Sequence, residues 1–167
     1  MEEKPRVFLL DGDRLLRVRA LVYDGDERLL AADERLLQDA DRSLAMGPYS
    51  VLEKDVLPPS GDAHDYMSIA PYWWPDPARE DGLPYVRRDG EVNEERARYD
   101  SSPLAAMCSA VYTLSTAYFF SDHEDFAERA ALLLRTWFLD EATRMNPHLE
   151  YAQAIPGHCD GRSNGII

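Results

Sequence analysis

Between Ser60 and Gly90 the sequence reads SGDAHDYMSIAPYWWPDPAREDGLPYVRRDG, and three residue groups in it could do chemistry. Trp73 and Trp74 stand between Pro71 and Pro75, which favour an extended path and turn neighbouring side chains to different sides. One ring of such a pair can anchor the loop while the other walls a ligand site, where a flat apolar face with an N–H at its edge suits a sugar ring. Arg87 and Arg88 precede Asp89-Gly90, a turn signature that predicts a solvated tip. Facing a site, either planar fork would take a carboxylate in two-point contact. His64, Asp65 and Tyr66 form the third group, in which a histidine held by its neighbouring Asp would orient a substrate or pin the loop. A metal site is not expected, because too few ligands recur at fixed spacing.

Two further candidates lie near the end of the chain. His158-Cys159-Asp160 has the residue types of a nucleophile or metal site, but adjacent loop residues do not point at one another and nothing else completes a triad. Asn146, Tyr151 and Gln153 are candidates for polar contacts in a cleft, against a purely structural hydrogen-bonding role.

Helical hairpins are the visible scaffold for these residues. Over 13–46, Leu15, Val18 and Val22, then Leu29/Leu30, Leu36/Leu37, Ala40 and Leu44, recur at helical spacing around a turn at Tyr23–Asp26, with Asp26 as N-cap and Gly47-Pro48 as stop. Residues 48–99 hold seven of the chain's 11 prolines and no sustained periodicity, which predicts a binding loop with short extended pieces. Tyr49, Tyr66, Tyr72, Trp73, Trp74, Tyr85 and Tyr99 argue that this loop is ordered. A second hairpin is expected over 101–139, begun by a serine cap at Ser101-Ser102-Pro103. Its apolar faces are Leu104, Met107/Cys108, Val111, Leu114/Ser115 and Tyr118, then Phe126, Ala130, Leu133/Leu134 and Trp137. Residues 140–167 read as loop and the start of a next helix. The expected class is all-α, helix pairs with long aromatic loops gathered at one end.

At 167 residues and 45% hydrophobic, the chain matches one domain or part of a larger one. A net charge of −13 excludes a general nucleic-acid binder, so an anionic ligand would need a local basic pocket. Of the two cysteines, Cys108 falls in an apolar helical pattern that predicts a buried free thiol. The N-terminus has no signal-peptide core, and no stretch is expected to span a membrane.

The runs SGDAHDYMSIAPYWWPDP, GLPYVRRDGEVN, LLRTWFLDEATRMNPHLEYAQAIPG and DGRSNGII resemble the alginate-lyase domain family of the chondroitin AC/alginate lyase superfamily, from about Phe8 onward. The resemblance implies the N-terminal part of one domain: an incomplete, truncated α/α toroid of helical hairpins whose loops bind an acidic polysaccharide at one rim. It implies β-elimination at a uronate, in which a positioned group neutralises the C5 carboxylate, a base removes the C5 proton and an acid protonates the leaving oxygen. The family's Asn-His catalytic stretch is expected beyond Ile167, so this chain is expected to be an inactive fragment with no assigned catalytic residue. The substrate-binding residues carried over are His64, Tyr66, Ser68, Tyr72, Trp73, Trp74, Tyr99, Gln153 and Arg162, joined by Arg87 and Arg88 from the residue reading. No cofactor is implied, and neither nucleic acid nor membrane is an expected partner. Self-association through the truncated face and a periplasmic or secreted location are also implied. Rival readings are a non-catalytic acidic-glycan-binding module and a helical protein-interaction scaffold.

Overall fold

Asp11 and Asp26 decide where the first two helices begin. A carboxylate at an N-cap accepts from first-turn amides that have no intrahelical partner. Asp11 accepts from the N–H of Asp13 at 3.0 Å and of Arg14 at 3.2 Å, and Asp26 from that of Arg28 at 3.0 Å. In a computed structural model of the protein, which describes residues 4–163, they open α1 (Gly12–Tyr23) and α2 (Glu27–Leu44). There follow a 3-10 turn at Val51–Glu53, β1 (Met67–Ile69), β2 (Trp73–Trp74), β3 (Val86–Arg87), a 3-10 turn at Glu94–Arg98, α3 (Ser101–Ser121), α4 (Glu124–Phe138) and β4 (Tyr151–Ala154). The chain divides into two units, Met1–Met46 with Ala110–Ala130 and Gly47–Ser109 with Ala131–Ile167.

In the first unit, the end of α1 is tied to the end of α3. The Arg19 guanidinium donates to Asp122 Oδ2 at 2.5 Å and the Tyr23 hydroxyl to the same oxygen at 2.9 Å. Arg19 also lies 5.2 Å from the centre of the Phe119 ring, so its aliphatic stem and planar head are both used. Ala40 is fully buried, and Ser43 returns its hydroxyl proton to the Asp39 carbonyl at 2.8 Å.

In the second unit, Gly47 adopts φ +67°, as expected at the end of a helix, and a Cβ there would lie 2.8 Å from the Leu133 side chain. Trp137 is fully buried and its indole N–H points at Met145 Sδ at 3.1 Å. A side chain of this size contributes on the order of 3 kcal/mol by leaving water. A smaller cluster joins Met67, Ile69, Tyr99 and Ala154, so the strand pair β1–β4 has its own core.

The all-α expectation, and with it the incomplete α/α toroid, is overturned. Beside the four α-helices, β1 pairs in parallel with β4 and β2 pairs antiparallel with β3. The strands are two to four residues long, too short for an alternating pattern to register in the sequence.

Two finer expectations change as well. The buried face of α3 runs Leu104, Met107, Ala110, Leu114 and Ala117, which turns Cys108 outward as an exposed free thiol rather than a buried one. α3 starts at Ser101, so Pro103 is its third residue, and the carbonyl of Asp100 accepts from Leu104 N–H at 3.0 Å. By length and composition α3 is apolar enough to cross a membrane, where no such stretch was expected, and 28% of its most apolar window is buried. Its scattered Ser, Thr and Tyr residues break the apolar run that a reading by eye looks for. The start of a next helix falls partly outside the described residues, and 160–163 are not helical.

Candidate functional site

The second unit holds all eleven expected binding residues, on two short strand pairs and the loops around them. In the β1–β4 pair, Met67 faces Tyr151 and Ile69 faces Ala154, so β4 carries one residue more than β1 across the same span. Such a bulge leaves an amide without a ladder partner and re-aims a side chain. Gln153 occupies it with φ +54°, and its N–H is received by the hydroxyl of Ser68 at 3.0 Å. Arg162 then lies along β4, donating its backbone N–H to Ala152 O at 2.8 Å and its Nε–H to Gln153 O at 3.2 Å. Its Nη2 also donates to Gln153 Oε1.

In the β2–β3 hairpin, Trp73 pairs with Arg87 and Trp74 with Val86. Both indoles are half-buried. Trp74 donates Nε1–H to Glu91 O at 2.9 Å, and its face carries the Arg88 guanidinium 5.1 Å from the ring centre. Trp73 meets His158 edge-on at 5.1 Å. The Arg88 backbone N–H donates to Tyr72 O at 2.8 Å, and the Tyr72 side chain is exposed. Arg87 pairs with Asp89 at 2.8 Å, while Arg88 stands 3.8 Å from Glu91. The adjacent tryptophans and arginines are therefore brought together, with the Trp74 N–H and both guanidinium groups already engaged inside the loop.

His64, Tyr66, Ser68 and Tyr99 are placed differently. His64 Nδ1 lies 2.6 Å from Arg144 O, and since a carbonyl only accepts, Nδ1 is the donor in this contact. Tyr66, Ser68 and Tyr99 are buried, with 0%, 2% and 7% of their surface exposed, so none of them meets a ligand from solvent in this arrangement. Burial pushes the Tyr66 phenol up to about 12, partly offset by the Ser68 hydroxyl nearby, although the Tyr66 oxygen makes no hydrogen bond of ordinary geometry. Burial also raises the Tyr99 phenol, with Glu95 adding to it.

Two buried carboxylates organise this unit, and neither role was legible beforehand. Asp65 accepts from Asn146 Nδ2 at 2.6 Å and Ser60 Oγ at 2.7 Å and stands 2.8 Å from His148 Nε2. The Asp-held histidine is thus His148, from a loop 83 residues away in sequence, and not its neighbour His64. Burial pushes Asp65 up, but the hydrogen bonds from Asn146 and Ser60, with His148, outweigh it and hold the carboxyl below its ordinary range. Asp100 is fully buried, accepts from Met67 N–H at 2.8 Å and pairs with Lys54 at 3.2 Å. Burial there wins, and despite Met67 and Lys54 its pKa rises to about 6. Lys54 also donates to Val51 O at 2.5 Å and Ala63 O at 2.6 Å, so all three ammonium protons have acceptors, while burial lowers its pKa. The signal that could have pointed to this pair is an isolated lysine in the aromatic loop, one of few in the chain.

Among the described residues no group of three or more His, Cys, Asp and Glu is arranged to hold a metal ion. What the arrangement offers is an aromatic shelf beside one strand pair and a fixed guanidinium beside the other.

The model of the alginate lyase family matches residues 50–167. The solved crystal structure of an alginate lyase from Bacteroides ovatus is similar to this chain, at 49% identity and a TM-score of 0.83 over 89% of the chain. The chain spans 39% of that protein's length. No curated protein matches the chain. With the family model covering the aromatic loop, both strand pairs and the Arg162 turn, the chain belongs to the alginate lyase family.

Proposed function

We propose that this chain belongs to a polysaccharide lyase acting on an acidic, uronate-containing glycan such as alginate by β-elimination, and that it contributes binding rather than proton transfer. The observation that carries the reading is its 49% identity to a protein described as an alginate lyase. The half-buried Trp73–Trp74 pair supports it, as aromatic faces are suited to sugar rings. Elimination at a uronate needs a base near the C5 proton and an acid near the departing oxygen. Tyr66 and Tyr99 are buried away from solvent, and their raised pKa values keep both phenols protonated, which excludes the role of base at neutral pH. A periplasmic or secreted location, where such a polymer would be met, is part of the reading.

The test is ultraviolet detection of unsaturated ends on alginate and related polyuronates, together with calorimetric binding of oligouronates to the 167-residue chain. Binding without unsaturated product is the expected result. Clear turnover would overturn the binding-only assignment, and His64, whose Nε2 is not used by the Nδ1 contact to Arg144 O, would be the first residue to replace. Indifference to every oligouronate would overturn the glycan reading itself and favour a protein-interaction scaffold.

A further inference from the structure

We infer that Ser68 and Gln153 are positioning residues that set Arg162 as a receptor for one carboxylate of the glycan. The inference rests on the acidic-glycan reading above and goes beyond it by naming the group that meets the acid and the two that fix it.

Gln153 keeps a left-handed backbone, φ +54°, a region that disfavours residues with a Cβ. Backbone outliers of this kind persist where surrounding contacts over-determine them, and they gather at functional sites. Here the contacts are visible. The Ser68 hydroxyl, itself 2% exposed, takes the Gln153 N–H, and both oxygens of Gln153, main-chain and side-chain, face the same guanidinium.

Arg162 is fixed from its backbone side too. A Cβ on the preceding Gly161 would lie 1.9 Å from Glu150 O, so only glycine lets this turn press against β4 and deliver the Arg162 N–H to Ala152 O at 2.8 Å. Backbone, Nε and Nη2 of Arg162 are therefore all held by one strand.

The arithmetic of the fork follows. A guanidinium has five N–H donors, and Gln153 takes one from Nε and one from Nη2. Both Nη1 donors and the second of Nη2 make up the other edge, whose spacing matches the two oxygens of a carboxylate. Among the described residues no carboxylate pairs with Arg162, unlike Arg87 with Asp89. Its holder, Gln153, is a neutral amide and does not offset the guanidinium charge. Glu150 and Asp160 line a recess of about 380 Å³ on the flank of the same turn, so attraction for an anion is short-ranged and depends on meeting that edge.

The test is calorimetric titration of the 167-residue chain with an oligouronate and with its methyl ester, which keeps the sugar rings and removes the charge. Wild type should prefer the acid form on the order of tenfold, the scale of one charge-assisted pair. Arg162→Gln should erase that preference. Gln153→Glu, nearly isosteric but anionic, should cancel the guanidinium and weaken the acid form alone, whereas Ser68→Ala should do so to a smaller extent and Ser68→Thr should restore it. Arg35→Gln, at an exposed α2 residue paired with Asp39, should leave the preference intact. A preference that survives Arg162→Gln overturns the inference while leaving the glycan reading in place. Equal weakening of both forms by Gln153→Glu also overturns it, since that marks a purely structural role. A wild-type chain that binds neither form overturns the inference together with the reading beneath it.

Discussion

In the β2–β3 hairpin, Arg87 is paired with Asp89 and Arg88 lies over Trp74 with Glu91 nearby, whereas beside β4 Arg162 is held by the neutral amide of Gln153. The hairpin has more basic residues but neutralises them within a few positions of the chain. Beside β4 there is one, and among the described residues no carboxylate pairs with it. The two pairs also differ in what anchors them: β1 receives a buried ion pair, Asp100 with Lys54, while β2 receives a buried neutral amide, Asn93, whose Nδ2 donates to Trp73 O at 2.8 Å. The local density of basic residues is therefore a poor guide to net positive charge, because neighbouring carboxylates offset it.

The largest effect should come from breaking the buried anchor. Lys54→Met leaves Asp100 buried beside no cation, which should cost about 3–5 kcal/mol, whereas Arg87→Met at the hairpin tip should cost under about 1 kcal/mol. Denaturant titration of both variants would measure the contrast, and equal losses would remove the distinction between the two strand pairs.

The next effect is a pH dependence. Asp100 titrates near 6 in the folded chain against 3.8 for the free residue, so between these values the folded state binds more protons than the unfolded one. Stability should fall as pH rises from about 4 to about 6, by roughly 2–3 kcal/mol from this group, and stay level above. Asp65 has the opposite sign, its pKa lying below 3.8, and its contribution is present above that value and lost as pH falls through the folded pKa. The two can be separated by comparing unfolding midpoints of wild type and Asp100→Asn across pH 3–8. A difference independent of pH would show that Asp100 does not titrate in that window.

The smallest effect belongs to the hairpin. Trp74→Phe keeps an aromatic face for Arg88 but removes the N–H given to Glu91 O, at a cost of about 1 kcal/mol. Thermal unfolding would register it. A loss as large as that of Lys54→Met would mean that the hairpin is as deeply anchored as β1–β4.

Much of the helical scaffold was legible because its signals are local. Asp26 and Gly47 stand where a cap and a stop were expected, and Phe126, Ala130, Leu133 and Trp137 are the buried face of α4. The aromatic, proline-rich loop was legible for the same reason, since proline and adjacent indoles restrict the chain wherever they occur. The phase of α3 was harder to read, because a helix apolar on several sides does not declare which stripe is inside, and Cys108 was assigned to the wrong one.

Partnerships across long separations lay beyond the sequence. Ser68 and Gln153 meet 85 residues apart, and Asn146 reaches Asp65 across 81. The sequence by itself determined which helices form, where the loop begins and which residue types it offers, since those depend on contacts within a few positions. Only the tertiary structure decided that Tyr66 and Tyr99 are buried, that His148 rather than His64 is held by Asp65, and that Arg162 is set by Gln153 while Arg87 and Arg88 stand beside Asp89 and Glu91. Burial and hydrogen-bond partnership follow from which distant segments pack together, and no local pattern of residues encodes that choice.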